Sequence, residues 1–86
     1  MTVTTVRFFA AARAAVGTDE VAVDVDAMDV ASLDAALAGI EAADPERWSA
    51  LVERCSYLVD GVSTRDRATS LVGVGTVDVM PPFAGG

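Results

Sequence analysis

The residues of this sequence best suited to chemistry are its last, Val79-Met-Pro-Pro-Phe-Ala-Gly-Gly86. After Asp78 no side chain is charged, in a chain where 22 % of residues are Asp, Glu, Lys or Arg. The remaining ionisable group there is the terminal carboxylate of Gly86. Pro81 and Pro82 fix the backbone and stiffen the exit into an extended path. Phe83 offers one apolar handle, Ala84 is small, and Gly85 and Gly86 have no side chain. Fully extended, residues 81–86 reach about 20 Å. Such a thread enters a narrow channel without clashes, and glycine takes backbone angles closed to other residues. A carboxylate is a poor acyl group until it is activated, and an adenylating enzyme must enclose ATP and that carboxylate together. The pattern predicts acyl chemistry at Gly86, with Gly85 supplying clearance. A frayed terminus would share the Gly-Gly pair, but not the Pro-Pro-Phe-Ala ahead of it.

The rest of the side-chain inventory is poor in catalysts. The sequence has no His and no Lys, so the usual general base, imidazole metal ligand and Schiff-base amine are missing. Cys55 is the one cysteine. Its position at the start of an apolar strand predicts a core residue and not a reactive thiol. Arg13 and Arg54 read as solvated arginines. This inventory points to a carrier or binding module that works with an enzyme.

Charge and composition narrow the partners. Thirteen acidic residues face six arginines, for a net charge of −7. That field repels phosphate backbones and anionic lipid and favours basic docking surfaces, so neither nucleic acid nor membrane is expected as a partner. Many of the acids simply keep a small domain soluble. One cysteine excludes an internal disulfide and suits a reducing cytoplasm. No basic segment precedes an apolar run at the start, and no run approaches the roughly 20 apolar residues of a membrane span. The expectation is a cytoplasmic protein.

The elements that must position the tail can be read from periodicity. The 86 residues allow one domain, and 52 % of them are hydrophobic, enough for a core. Thr2–Phe9 is β-branched and aromatic and reads as a strand, with Val6 and Phe8 on one face and Arg7 and Phe9 on the other. Ala10–Val16 is a short Ala-rich connector closed by Gly17. Val21, Val23 and Val25 alternate with polar or small residues, as in a strand with one wet face. Val30, Leu33, Leu37 and Ile40 are spaced as the stripe of an amphipathic helix over residues 30–43, with Asp29 or Ser32 as N-cap; Gly39 weakens it. Asp44-Pro45-Glu46 starts a second, shorter helix whose stripe is Trp48, Leu51 and Val52. Cys55–Val59 is a strand, Asp60-Gly61 a hairpin turn, and Val62 the start of a return strand. Leu71-Val72 is an apolar anchor and Gly73-Val-Gly75 a turn. Thr76–Met80 is the last strand, with Val77 and Val79 inward, ended by Pro81 and Pro82.

That order predicts an α+β fold: a mixed sheet of four to five strands with one main helix packed on one face. It fits a β-grasp, the ubiquitin arrangement, with first and last strands side by side. Residues 1–80 form the domain and residues 81–86 the extended tail.

The sequence resembles the small, sulfur-carrying subunit of molybdopterin synthase, within the wider family of ubiquitin-like sulfur carriers. The likeness spans essentially the whole chain. It rests on Val6-Arg-Phe-Phe-Ala-Ala-Ala-Arg13 with Gly17, the Leu33 to Leu37 helix, Arg54-Cys-Ser-Tyr-Leu-Val-Asp-Gly61 and Val77-Asp-Val-Met-Pro-Pro-Phe-Ala-Gly-Gly86. Where many relatives carry an acidic Asp-Gly-Asp turn, this chain has Gly73-Val-Gly75. The resemblance implies a carrier that is not itself catalytic and binds no cofactor. A partner related to ubiquitin activators would spend ATP to adenylate Gly86, and persulfide sulfur would replace AMP to leave a thiocarboxylate. The tail would then enter the large subunit of molybdopterin synthase, in a heterotetramer, and donate sulfur to a pterin precursor of the molybdenum cofactor. Phe9, Val62, Met80, Pro81, Pro82, Phe83 and Ala84 are the expected partner-binding residues. A sulfur carrier of thiamine or cysteine biosynthesis, a ubiquitin-like protein modifier and a pure interaction module are the alternatives.

Overall fold

Alternating β-branched and apolar residues form β1 (Val3–Phe8), β2 (Glu20–Asp24), β3 (Ser56–Val59), β4 (Val62–Thr64) and β5 (Thr76–Met80) in the computed structural model, which describes residues 2–82. The five strands make one sheet in the order β2-β1-β5-β3-β4. β1 and β5 are parallel, aligning Val6 with Val77 and Phe8 with Val79, and the other neighbours are antiparallel. First and last strands therefore lie together at the centre, in a β-grasp. In the three central strands every second residue, including Val6, Phe8, Tyr57, Val59, Val77 and Val79, is buried on one face. That face carries α1 (Ala10–Val16), α2 (Leu33–Ala38) and α3 (Pro45–Val52), which add Ala12, Ala15, Leu33, Leu37 and Trp48 to the core.

The extent expected for the main helix is corrected by long-range hydrogen bonds. The helix expected over residues 30–43 is realised only as α2, capped by the Ser32 hydroxyl, which accepts from Ala35 N at 3.2 Å. It does not start earlier because the chain before it bonds the loop after β4. Leu33 N donates to Thr69 O and Asp34 N to Arg67 O, while Ser32 forms a bridge with Ser70. Val30, placed on the apolar stripe by its spacing, is consequently outside the helix and 68 % exposed. The helix does not continue because Ala43 N and Asp44 N donate to Val16 O and Ala15 O at the end of α1. That crossing presses on Gly17, where a Cβ would sit 3.1 Å from the Ala43 Cβ and where φ is +92°. α3 starts as expected, with Asp44 accepting from Arg47 N and Pro45 in the first turn. It is the longest of the three helices.

The β3–β4 turn also holds β5 in place. Asp60 and Gly61 both have positive φ, 47° and 85°, the geometry of a two-residue hairpin whose twist matches its strands. From there the Asp60 carboxylate accepts hydrogen bonds from Gly75 N at 3.0 Å and Thr76 N at 2.9 Å, and Asp60 N donates to Thr76 O. The Gly73–Gly75 turn thus receives a polar clamp from the other hairpin although it has no acid of its own. Asp60→Ala is expected to cost about 2 kcal/mol, since it removes charge-assisted bonds and places alanine in a left-handed conformation. Urea unfolding measures this. A change within a few tenths of a kcal/mol would show that water replaces the carboxylate fully.

Candidate functional site

The end of β5 is the place from which any tail departs, and the fold makes it rigid. β5 is paired on both sides, to β1 as far as Val79 and to β3 as far as Met80, which faces Ser56. Pro81 follows and is buried; Pro82 is exposed. Proline donates nothing to a ladder, so pairing stops where the sheet's central strand leaves it. Phe83, Ala84, Gly85 and Gly86 lie outside the described residues.

Around this exit the sheet turns its helix-free face outward. Alternation puts Arg7 of β1, Asp78 of β5 and Leu58 of β3 in one row across that face. The Arg7 guanidinium grips the Asp78 carboxylate with two bonds, Nη2 donating to Oδ2 at 2.8 Å and Nε to Oδ1. The hydrogen bond first, and the Asp78 charge second, hold the Arg7 pKa above its ordinary value. Phe9 keeps an extended backbone and continues the β1 zigzag, so its ring lies 5.9 Å from the Arg7 guanidinium carbon, a cation–π distance. Phe9 is 38 % exposed, and Met80 and Leu58 are half-buried. The exit is therefore bordered by an apolar patch with a neutralised ion pair beside it.

The expected partner-binding residues do not all meet here. Phe9 and Met80 share the outer side by strand parity. Val62 pairs with the core residue Val59, so it points to the helix side of the sheet, at the far edge strand, and is 69 % exposed there. Leu58 and the Arg7–Asp78 pair were not singled out in sequence. The available signal was that Arg7 and Asp78 have matching parity once the first and last strands are aligned in parallel.

Cys55 is part of the core, 2 % exposed. Burial pushes its thiol up from 9.0 to about 11, and a hydrogen bond with Tyr57 offsets part of that rise. Burial also raises the Tyr57 hydroxyl, which donates to Val52 O at 2.6 Å. Near neutral pH Cys55 is a protonated, enclosed thiol, unsuited to nucleophilic attack. The native state keeps its proton after the unfolded thiol has lost it, so stability falls as pH rises from about 9 towards 11. Equilibrium unfolding at pH 8 and pH 10 should show that loss, and Cys55→Ala should reduce it. An equal pH dependence in the variant would assign the loss to other groups.

Among the described residues, no group of three or more Cys, Asp or Glu side chains is placed to hold a metal ion, and no helix is long and apolar enough to cross a membrane. In comparisons with known proteins, the chain matches no family model and no curated protein.

Proposed function

We propose that this chain is a ubiquitin-like sulfur carrier, the small subunit of a molybdopterin synthase, with Gly86 as the terminal residue that is adenylated, converted to a thiocarboxylate and used as the sulfur donor. The observation that carries this reading is the combination of β5 with the residues after it. A strand locked between two neighbours delivers Pro81 and Pro82 at a fixed point, and an uncharged Phe-Ala-Gly-Gly follows in the sequence. A carrier needs this division of labour. The domain gives a rigid grip for partner enzymes, and the thread beyond it reaches an active site the carrier does not contain. The buried, protonated Cys55 leaves the terminal carboxyl as the better place to load sulfur.

The chemistry would run on partners. ATP, consumed by an activator, turns the Gly86 carboxylate into an acyl-adenylate with loss of pyrophosphate. A persulfide sulfur then attacks the acyl carbon, AMP leaves, and reduction of the resulting acyl disulfide by a thiol frees the thiocarboxylate. The large subunit of the synthase supplies the catalytic residues and holds the pterin precursor. The outer face around Phe9, Leu58 and Met80 is the docking surface in this reading, because apolar area beside a tail exit is best explained by a partner that covers it.

Intact-mass analysis tests the proposal. The chain, incubated with an activating enzyme of this class, ATP and a persulfide donor, should gain the mass of sulfur in place of one oxygen, localised to the terminal peptide. An unchanged mass, under conditions that convert an authentic carrier, would refute the sulfur-carrier function.

A further inference from the structure

A second surface, on the opposite flank from β4, has the features of a peptide-binding edge. β2 is the outermost strand and has only β1 beside it. Phe8 N donates to Asp19 O, and Val25 N to Thr2 O. These two bonds bracket β2 and fix the phase of its ladder: Val21 and Val23 turn their backbone groups to β1, whereas Glu20, Ala22 and Asp24 turn theirs outward. Among the described residues, no other strand pairs with that outward edge.

The side chains beside the edge are arranged to receive apolar residues. Val21 and Val23 point to the helix side of the sheet but are only half-buried. Between them and α2 runs a groove of about 450 Å³, lined by Val21, Val23, Met28, Ala36, Gly39 and Ile40. Small residues on α2 keep it open. Its one charged lining residue is Glu41, Glu20 and Asp24 stand at the two ends of β2, and the whole chain carries −7.

We infer that β2 and this groove bind an extended peptide segment of a partner protein, in which alternate residues are apolar and the flanks carry Lys or Arg. The peptide would add a sixth strand. Its backbone would pair with Glu20, Ala22 and Asp24, and its apolar side chains would lie over Val21 and Val23 against α2. Its flanking cations would meet Glu41 beside the groove and Glu20 and Asp24 at the strand ends, whose side chains face the helix-free side. Strand addition supplies affinity through main-chain bonds and specificity through every second side chain. Open backbone groups select a strand over a helix as the occupant, and the acids at both ends of β2 and beside the groove select basic flanks. This surface is separate from the tail exit and does not depend on the carrier reading.

The test is an amide-resolved NMR titration of the isotope-labelled chain with a short synthetic peptide alternating valine and serine behind two lysines. Saturable shifts are expected at Glu20, Ala22, Asp24 and Gly39. Methylating the peptide amides that face β2 should weaken binding about tenfold or more, by removing the ladder donors, and glutamates in place of the lysines should weaken it further. Two variants block the site differently. Ala22→Pro removes an outward amide without touching the β1 ladder. Gly39→Leu fills the groove at a position where an added Cβ meets its neighbours at an ordinary 3.6 Å. Each should abolish the shifts while leaving the remaining spectrum folded; if Ala22→Pro unfolds the chain, Gly39→Leu and the methylated peptide decide the matter. Shifts centred on Leu58 and Asp78, or binding undiminished by methylation, would overturn the inference. Concentration-dependent shifts at the same amides without peptide would also overturn it, by assigning the edge to a second copy of the chain.

Discussion

Removing Gly86 alone is expected to lower sulfur transfer at least 100-fold while leaving the melting temperature almost unchanged. The two halves of this outcome have different physical origins. Among the described residues the hydrophobic core closes between Val6 and Val79 and β5 ends at Met80, so loss of a residue at position 86 should alter stability by less than about 0.5 kcal/mol. Chemistry is more sensitive. One residue of extended chain is about 3.3 Å, and reacting atoms must approach within about 3–3.5 Å in alignment. The shortened chain still ends in a glycine, Gly85, so the variant changes reach and not residue type. Circular dichroism melting and dithiolene formation with a large subunit, measured side by side, give the two readouts. Near-normal transfer by the shortened chain would refute a carrier that works by reach. A large fall in melting temperature would assign the tail a structural role instead.

Trp48→Ala should have the largest effect on stability. Trp48 is 5 % exposed and meets Phe8 edge to face, with ring centroids 5.5 Å apart at 87°. Its indole N–H donates to Leu37 O at 3.3 Å, a carbonyl at the end of α2 that also accepts from Ile40 N. One side chain thus joins α3 to the sheet and to α2. Truncating a buried tryptophan costs about 3–5 kcal/mol, against a total of about 5 kcal/mol expected for a domain of this size. The melting temperature should fall by roughly 15–30 °C, and a substantial fraction should be unfolded at 37 °C. Trp48→Phe keeps most of the apolar area and loses the N–H, so it should cost only about 1–2 kcal/mol. A fall of only a few degrees for Trp48→Ala would show that α3 is dispensable to the core.

Residues whose conformation is set by near neighbours were legible in the sequence. Val6, Phe8, Val77 and Val79 face inward because side chains alternate along a strand, and that alternation needs only the strand itself. Asp60-Gly61 makes its turn because those residue types tolerate the left-handed region, and Asp44-Pro45 starts α3 through its own cap. The succession of elements along the chain, which suggested the β-grasp, and the burial of Cys55 were expected from such local signals. The Pro-Pro-Phe-Ala-Gly-Gly run, from which the function is proposed, is likewise a property of the sequence alone.

Tertiary structure decided whatever depends on partners distant in the chain. α2 is short because Leu33 and Asp34 bond the loop at residues 67–69, and because Ala43 and Asp44 bond the end of α1; the apolar spacing of Val30 and Ile40 cannot compete with those backbone bonds. Val62 was expected among the partner-binding residues with Phe9, yet pairing with Val59 sends it to the other side of the sheet. The Arg7–Asp78 grip and the Asp60 clamp join residues whose proximity follows from parallel pairing of first and last strands and from one hairpin turning toward another. The open edge at β2 exists only because four other strands are ordered on one side of it. Periodicity fixes which way a side chain points within its own element. What it then meets is fixed by register and strand order, which arise when the whole core closes at once.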